Sequence, residues 1–211
     1  LPRNLSAYQA YLEQTTFPYV VIDPDNSKTD HSHIQSLNWQ GAFEATKHLC
    51  ILGHRRIAFI KGRSDVASAF ERFEAFQVSL SEAQVPFDNN LVFDGDFTKE
   101  KGYEVGELLF TMNDPPTAVF CANDEMALGV MDAALDRELS IPDDISIIGF
   151  DDIPQARYVR PQLTTVKQDM HQMGRLAIQL LIDHIENGVD EPKQLKLETQ
   201  LIMRGSTAPP K

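Results

Sequence analysis

The chain has 211 residues, with 42% hydrophobic and 24% charged side chains, so a packed core is expected and wholesale disorder is not. A formal net charge of −12 opposes phosphate backbones, which excludes an unaided grip on nucleic acid. Two cysteines, Cys50 and Cys121, exclude a disulfide-dense scaffold, and no apolar run approaches the roughly 20 residues of a membrane span. No charged-then-apolar leader opens the sequence, and the start at Leu1 predicts further residues upstream.

In chain order, Asn4–Gln14 has helical spacing through Leu5, Tyr8 and Leu12. Tyr19–Ile22 reads as a short buried strand ending at Asp23, and the polar stretch to His33 as a loop. A helix over Asn38–Leu52 carries Ala42, Ala45 and Leu49 on one face, and Arg56–Lys61 is the next strand. Ser68–Ala83 is helical, Leu91–Phe93 a short strand, and Thr98–Met112 a helix opened by a capping Thr. Thr117–Cys121 is a strand, Asn123–Arg137 a helix and Ile145–Phe150 a strand running into Asp151-Asp152. Leu163–Val166 is extended, Gln168–Asn187 is a helix, and one final strand covers Gln194–Met203.

Strands alternating with helices of this length predict an α/β fold with doubly wound parallel sheets. Ligands of such sheets bind beyond the carboxyl ends of the strands, which singles out Asp23, Gly62–Asp65, Asp94–Phe97, Asn123, Asp151 and Gln168. Asp151 suits a ligand hydrogen-bond acceptor and Asp152 a cap, since adjacent carboxylates point different ways and make a poor acid–base dyad. Asn123 offers a donor and an acceptor and can also cap its helix. Arg72 sits among Phe70, Phe73 and Phe76; it reads either as a solvated helix residue, the commoner case, or as an ordered planar fork able to hold two adjacent oxygens. Phe97 suits ring stacking or plain core packing. His31-Ser32-His33 has too few partners for a metal and reads as a solvated loop; no metal or cofactor is expected. Cys50 and Cys121 read as buried free thiols and His184 as a core histidine. GxSxG, Walker and GxGxxG motifs are absent, which argues against the common α/β enzymes.

Several stretches together resemble the effector-binding core of LacI/GalR-family bacterial transcriptional repressors. They are Leu52-Gly53-His54-Arg55-Arg56-Ile57-Ala58-Phe59-Ile60, Gly95-Asp96-Phe97, Ala122-Asn123-Asp124-Glu125-Met126-Ala127-Leu128-Gly129, Ile147-Ile148-Gly149-Phe150-Asp151-Asp152 and Leu163-Thr164-Thr165-Val166. The resemblance runs in order over about residues 17–210 and implies the periplasmic-binding-protein-like type I fold, with two subdomains and an effector between them. It implies residues 1–34 and 169–198 as a partial N-terminal subdomain, and residues 35–168 and 199–211 as the C-terminal one. It further implies Asp23, Ser68, Arg72, Phe97, Asn123, Asp151 and Gln168 as effector-binding residues. Leu37 stands where many members have Asp, and Val66 where the purine-responsive member has Arg, so a purine effector is disfavoured and a sugar or related metabolite expected. Leu128, Met131 and Tyr158 are implied at a homodimer interface; the stripe Leu128, Met131, Leu135 fits that role or burial against the sheet.

The function expected is a cytoplasmic, allosteric ligand-sensing domain of a repressor, reaching operator DNA through an absent helix-turn-helix, with no membrane partner. The alternative is a secreted sugar-binding protein of the same fold. A third reading, an enzyme using Asp151 and His54, is disfavoured by the missing motifs.

Overall fold

The computed structural model describes residue 12 and residues 17–24, 31–188 and 191–211. Apart from Leu12, the expected helix over Asn4–Gln14 lies outside the described residues. The chain divides into two compact units, one of residues up to Leu37 with Asp169–Glu198, the other Asn38–Gln168 with Thr199–Lys211. The first crossing falls at Leu37, beyond the expected residue 34, because a strand continues to Ser36 and the Leu37 amide still donates to Leu197 O at 2.8 Å.

The smaller unit holds a three-stranded parallel sheet, in the order β1 (Val21–Ile22), β2 (His33–Ser36) and β8 (Gln194–Leu197). Helix α5 (Met170–Asn187) packs on β1 and β2. Ile34, Met173, Leu180 and Leu197 form its core. Strand β2 was not expected: its sequence His-Ile-Gln-Ser has one strongly apolar residue and no alternation. It is buried throughout because it is the central strand.

The larger unit holds six strands in the order β4-β3-β5-β6-β7-β9. These are β3 (Ile57–Ile60), β4 (Val92–Phe93), β5 (Ala118–Cys121), β6 (Ser146–Asp151), β7 (Thr164–Lys167) and β9 (Gln200–Ile202). All pair parallel except β9, which runs antiparallel to β7. The single strand expected over Gln194–Met203 is thus two, because β8 pairs with β2 in one unit and β9 with β7 in the other.

Helices α1 (Asn38–Ile51) and α2 (Ala67–Glu82) pack on each other, as do α3 (Lys99–Phe110) and α4 (Asp124–Asp136). Crossovers leave β3 toward β4 through α2 and return to β5 through α3. Right-handed connections running in opposite directions put their helices on opposite faces, so the sheet is doubly wound. Covered on both faces, β3, β5 and β6 read as near-continuous apolar runs. Phe59, Phe76, Phe120 and Phe150 are fully buried there, each contributing roughly 1.5–3 kcal/mol of transfer free energy. The strand order reverses between β3 and β5, and the carboxyl ends on either side of that point carry the candidate residues.

Candidate functional site

Arg72 lies on the buried face of α2, between Ala69 and Phe76, and is only 3% exposed. A guanidinium at such a position must have its donors met, and the sequence supplies the partners. Nε and Nη2 donate to Asn38 Oδ1 at 3.0 and 2.8 Å, and Nη1 donates to Ala122 O at 2.6 Å. The plane stacks on Phe150, with Cζ 3.8 Å from the ring centroid. Nη1 stands 3.7 Å from Asp151 Oδ1, and the same oxygen accepts from Gln168 Nε2 at 2.6 Å. The result is a fixed cation facing a carboxylate, with an amide beside them, a set suited to polyhydroxylated ligands.

Asn123 follows β5 and has both expected roles: its Oδ1 caps α4 by accepting from the Met126 amide, and its Nδ2 donates to Phe97 O. The bond at 3.0 Å holds Phe97 in the left-handed region, φ 71°. The Phe97 ring lies against Gly62, where an added Cβ would come 2.0 Å from Cζ. Phe97 is half-buried, one side on the core and Gly62.

After β6 the backbone turns sharply. Asp151 has φ 121° and Asp152 φ 55°, conformations that non-glycine residues seldom adopt and that gather at binding sites. Asp152 is no cap, contrary to expectation: its carboxylate pairs with Arg157 at 2.7 Å and with Arg204. Burial works against its ionisation, but the bonds from Arg157 and Arg204 outweigh it and hold the carboxyl below its usual value.

Arg72, Asp151 and Gln168 thus come together directly, and Asn123 joins them through the neighbouring Ala122 and carries Phe97. Ser68 is buried one turn before Arg72 on the same face of α2. Asp23 belongs to the smaller unit, where its amide donates to Ile34 O at 2.8 Å and its φ is 53°. Asn38 and Phe150, which hold Arg72, were not singled out from sequence as partners of the site. Asn38 reads as a helix start and Phe150 as strand core; the only available signal was a polar residue heading an otherwise apolar helix face.

Other expectations fared differently. Leu128 and Met131 are packed into the core, whereas Leu135 and Tyr158 are 73% and 78% exposed. The stripe is therefore split, because α4 is covered by both the sheet and α3. An open groove of about 770 Å³ runs beside Leu128, Met131, Leu135, Val159 and Pro161, away from Arg72 and Asp151. His54 precedes β3 while Asp151 ends β6, so the two stand at opposite ends of a parallel sheet and cannot act as a pair. His54 instead bonds Thr117, Ser146 and Ala208 O, anchoring the tail. His31-Ser32-His33 is not a solvated loop but is buried in the smaller unit, since β2 begins at His33 under α5. Ser32 Oγ meets His184 Nε2 at 2.7 Å, which satisfies His184 as a core residue. Cys121 is a buried free thiol whose pKa burial pushes well up, while Cys50 is half-buried. No helix among the described residues is long and apolar enough to cross a membrane.

Residues 46–207 match the family described as the periplasmic binding protein-like domain. The chain is 38% identical over 196 residues to the HTH-type transcriptional repressor PurR of Haemophilus influenzae (strain PittEE), covering 91% of this chain and 58% of that protein. It therefore spans little more than half the length of the curated relative. A LacI family transcriptional regulator from Enterococcus faecium, solved with bound ribose, superposes with a TM-score of 0.88 at 30% identity, over 97% of this chain and 76% of that one. The transcriptional regulator CelR in complex with cellobiose gives a TM-score of 0.83 at 35% identity, over 90% and 58% of the two chains.

Proposed function

The chain belongs to the LacI/GalR family of transcriptional regulators, as its periplasmic-binding-protein-like effector domain, and from that premise we propose that it senses a sugar or related polyhydroxylated metabolite and thereby modulates operator binding. The observation that carries this reading is the Arg72–Asp151–Gln168 set at the carboxyl ends of the strands, held by Asn38 and Phe150. Asn38, Ala122 and Phe150 hold the guanidinium in place beside Asp151, and hydroxyl pairs offer the donors and acceptors that Arg72 and Asp151 would meet. Ribose in the Enterococcus faecium regulator and cellobiose in CelR support a sugar as the class of ligand.

In this proposal Ser68, Phe97 and Asn123 complete the site, and Asp23 is the further ligand contact that the family resemblance implies. The ligand acts by binding one state of the protein better than another. Operator DNA is contacted through a DNA-reading part beyond this chain, in keeping with the HTH-type name of the curated relative, and the location is cytoplasmic. A homodimer is built along α4 and Tyr158, as two-fold operators require paired reading heads. A thermal-shift screen of ribose, cellobiose and other sugars tests the reading. A true ligand at a hundred times its Kd raises apparent stability by about 2.7 kcal/mol, and a flat panel would refute the sugar class.

A further inference from the structure

Asp124 is a buried carboxylate for which the ligand reading has no use. It is the first residue of α4 and has no exposed surface. Oδ2 accepts from the Ile153 amide at 2.9 Å, and Oδ1 accepts from Thr165 Oγ1 at 2.5 Å. The same Thr165 oxygen accepts from the Asp152 amide at 3.4 Å. One carboxylate thus secures two consecutive amides, Ile153 directly and Asp152 through Thr165. Those amides follow immediately on the positive-φ residue Asp151, and Asp152 is itself of positive φ. Space for the carboxylate exists because β6 carries glycine at 149: a Cβ there would come 2.1 Å from Asp124 Oδ1.

We propose that Asp124 is a positioning residue for the ligand site: through Ile153 N–H and Thr165 it fixes the strained Asp151–Asp152 turn, and so sets the direction in which Asp151 presents its carboxylate beside Arg72 and Gln168. Its functional meaning rests on the ligand reading, whereas its geometry stands without it. A strained turn persists only where its surroundings over-determine it, and a buried charge-assisted latch supplies that constraint.

The groups around Asp124 are Asp151 and Asp152 from the end of β6, the Cys121 thiol from β5 and Thr165 from β7. The cations Arg157 and Arg204 are engaged on Asp152, and Arg72 on Ala122 O. Burial foremost, with the neighbouring Asp151 and Asp152 carboxylates adding to it, raises the Asp124 pKa to about 7 against the bonds from Thr165 and Ile153. The latch therefore changes charge near neutrality, which provides a signature that packing alone would not give. When protonated, Asp124 can donate to Thr165 Oγ1 and still accept from Ile153; asparagine reproduces that arrangement.

The test is ligand-free. Amide and side-chain NMR signals are followed between about pH 5 and pH 9 in the wild type, Asp124→Asn and Asp124→Ala. In the wild type the Ile153 and Asp152 amides are expected to shift with a midpoint near neutrality, and the Gln168 side-chain amide and Arg72 Nε–H signals to follow. Asp124→Asn is expected to remove the pH step while leaving the Gln168 and Arg72 signals at their acidic wild-type positions. Asp124→Ala is expected to displace both at every pH. Pair signals that stay put in Asp124→Ala would overturn the proposal. So would an Ile153 amide that does not titrate in the wild type, a result available even if the alanine variant fails to fold. Because no sugar is present, failure of the latch and failure of the sugar reading are separate results.

Discussion

Arg72→Lys isolates what the guanidinium shape does, since it keeps the charge and loses the fork. Arg72 makes two bonds to Asn38 Oδ1 and one to Ala122 O, and stacks on Phe150. Bonds to charged groups contribute ~1.5–3 kcal/mol each, and a desolvated cation–π contact ~2 kcal/mol. A lysine ammonium reaches either Asn38 or Ala122, not both, and lacks a plane to lay on the ring. Allowing for the contact it keeps, the variant is expected to lose ~2–4 kcal/mol. In a chain of this size that lowers Tm by roughly 5–15 °C. Thermal and urea unfolding measure it, with Arg55→Lys as control, because Arg55 is exposed and donates to the Ala83 and Gln84 carbonyls at 3.3 and 3.4 Å. An Arg72→Lys midpoint equal to that of the control would refute a structural role for the fork, and with it the premise that the cation is pre-positioned.

Other outcomes follow from the same geometry. Burial lowers the His54 pKa, with the Ala208 carbonyl bond opposing, so the unfolded chain binds the extra proton below pH 6.5. Stability from this residue is therefore lost as pH falls through that value, and His54→Gln flattens that part of a urea-denaturation series. Asp124 acts with the opposite sign: the folded state keeps its proton up to about 7, so stability falls as pH rises from 3.8 toward that value, and Asp124→Asn removes the slope. Leu135→Asp and Tyr158→Asp, both at exposed positions, are expected to dissociate a micromolar dimer in sedimentation; a strict monomer in all three proteins would sink the interface proposal. With a charge of −12 the chain alone is expected to leave duplex DNA unshifted in gel retardation, and specific operator binding would contradict its assignment as the effector domain.

Elements with a dominant pattern were legible in the sequence. The apolar runs of β3, β5 and β6 require cover on both faces, and their alternation with helical stretches points to a parallel sheet flanked by helices. Asn123 was legible in both its roles because a polar residue closing an apolar strand has few other uses. What stayed hidden depends on contacts distant in sequence. Ile34 is buried in β2 against Met173 and Leu180 of α5, which begins well over a hundred residues later, so no local window marks the strand. Asn38 and Arg72 meet because α1 and α2 pack together, and Asp152 finds Arg204 only after β9 has returned beside β7. The burial of Leu128 and Met131 turned on which face of α4 meets α3, a choice that periodicity leaves open.

Calorimetric titration of whichever sugar raises Tm most, into the wild type and Asp151→Ala, tests the central claim most directly. Asp151 meets Gln168 and faces Arg72, so its removal takes an acceptor from the site while the core residues remain. The account predicts at least a tenfold loss of affinity, about 1.4 kcal/mol or more, with cooperative unfolding retained. Equal affinity in the two proteins would place the ligand elsewhere.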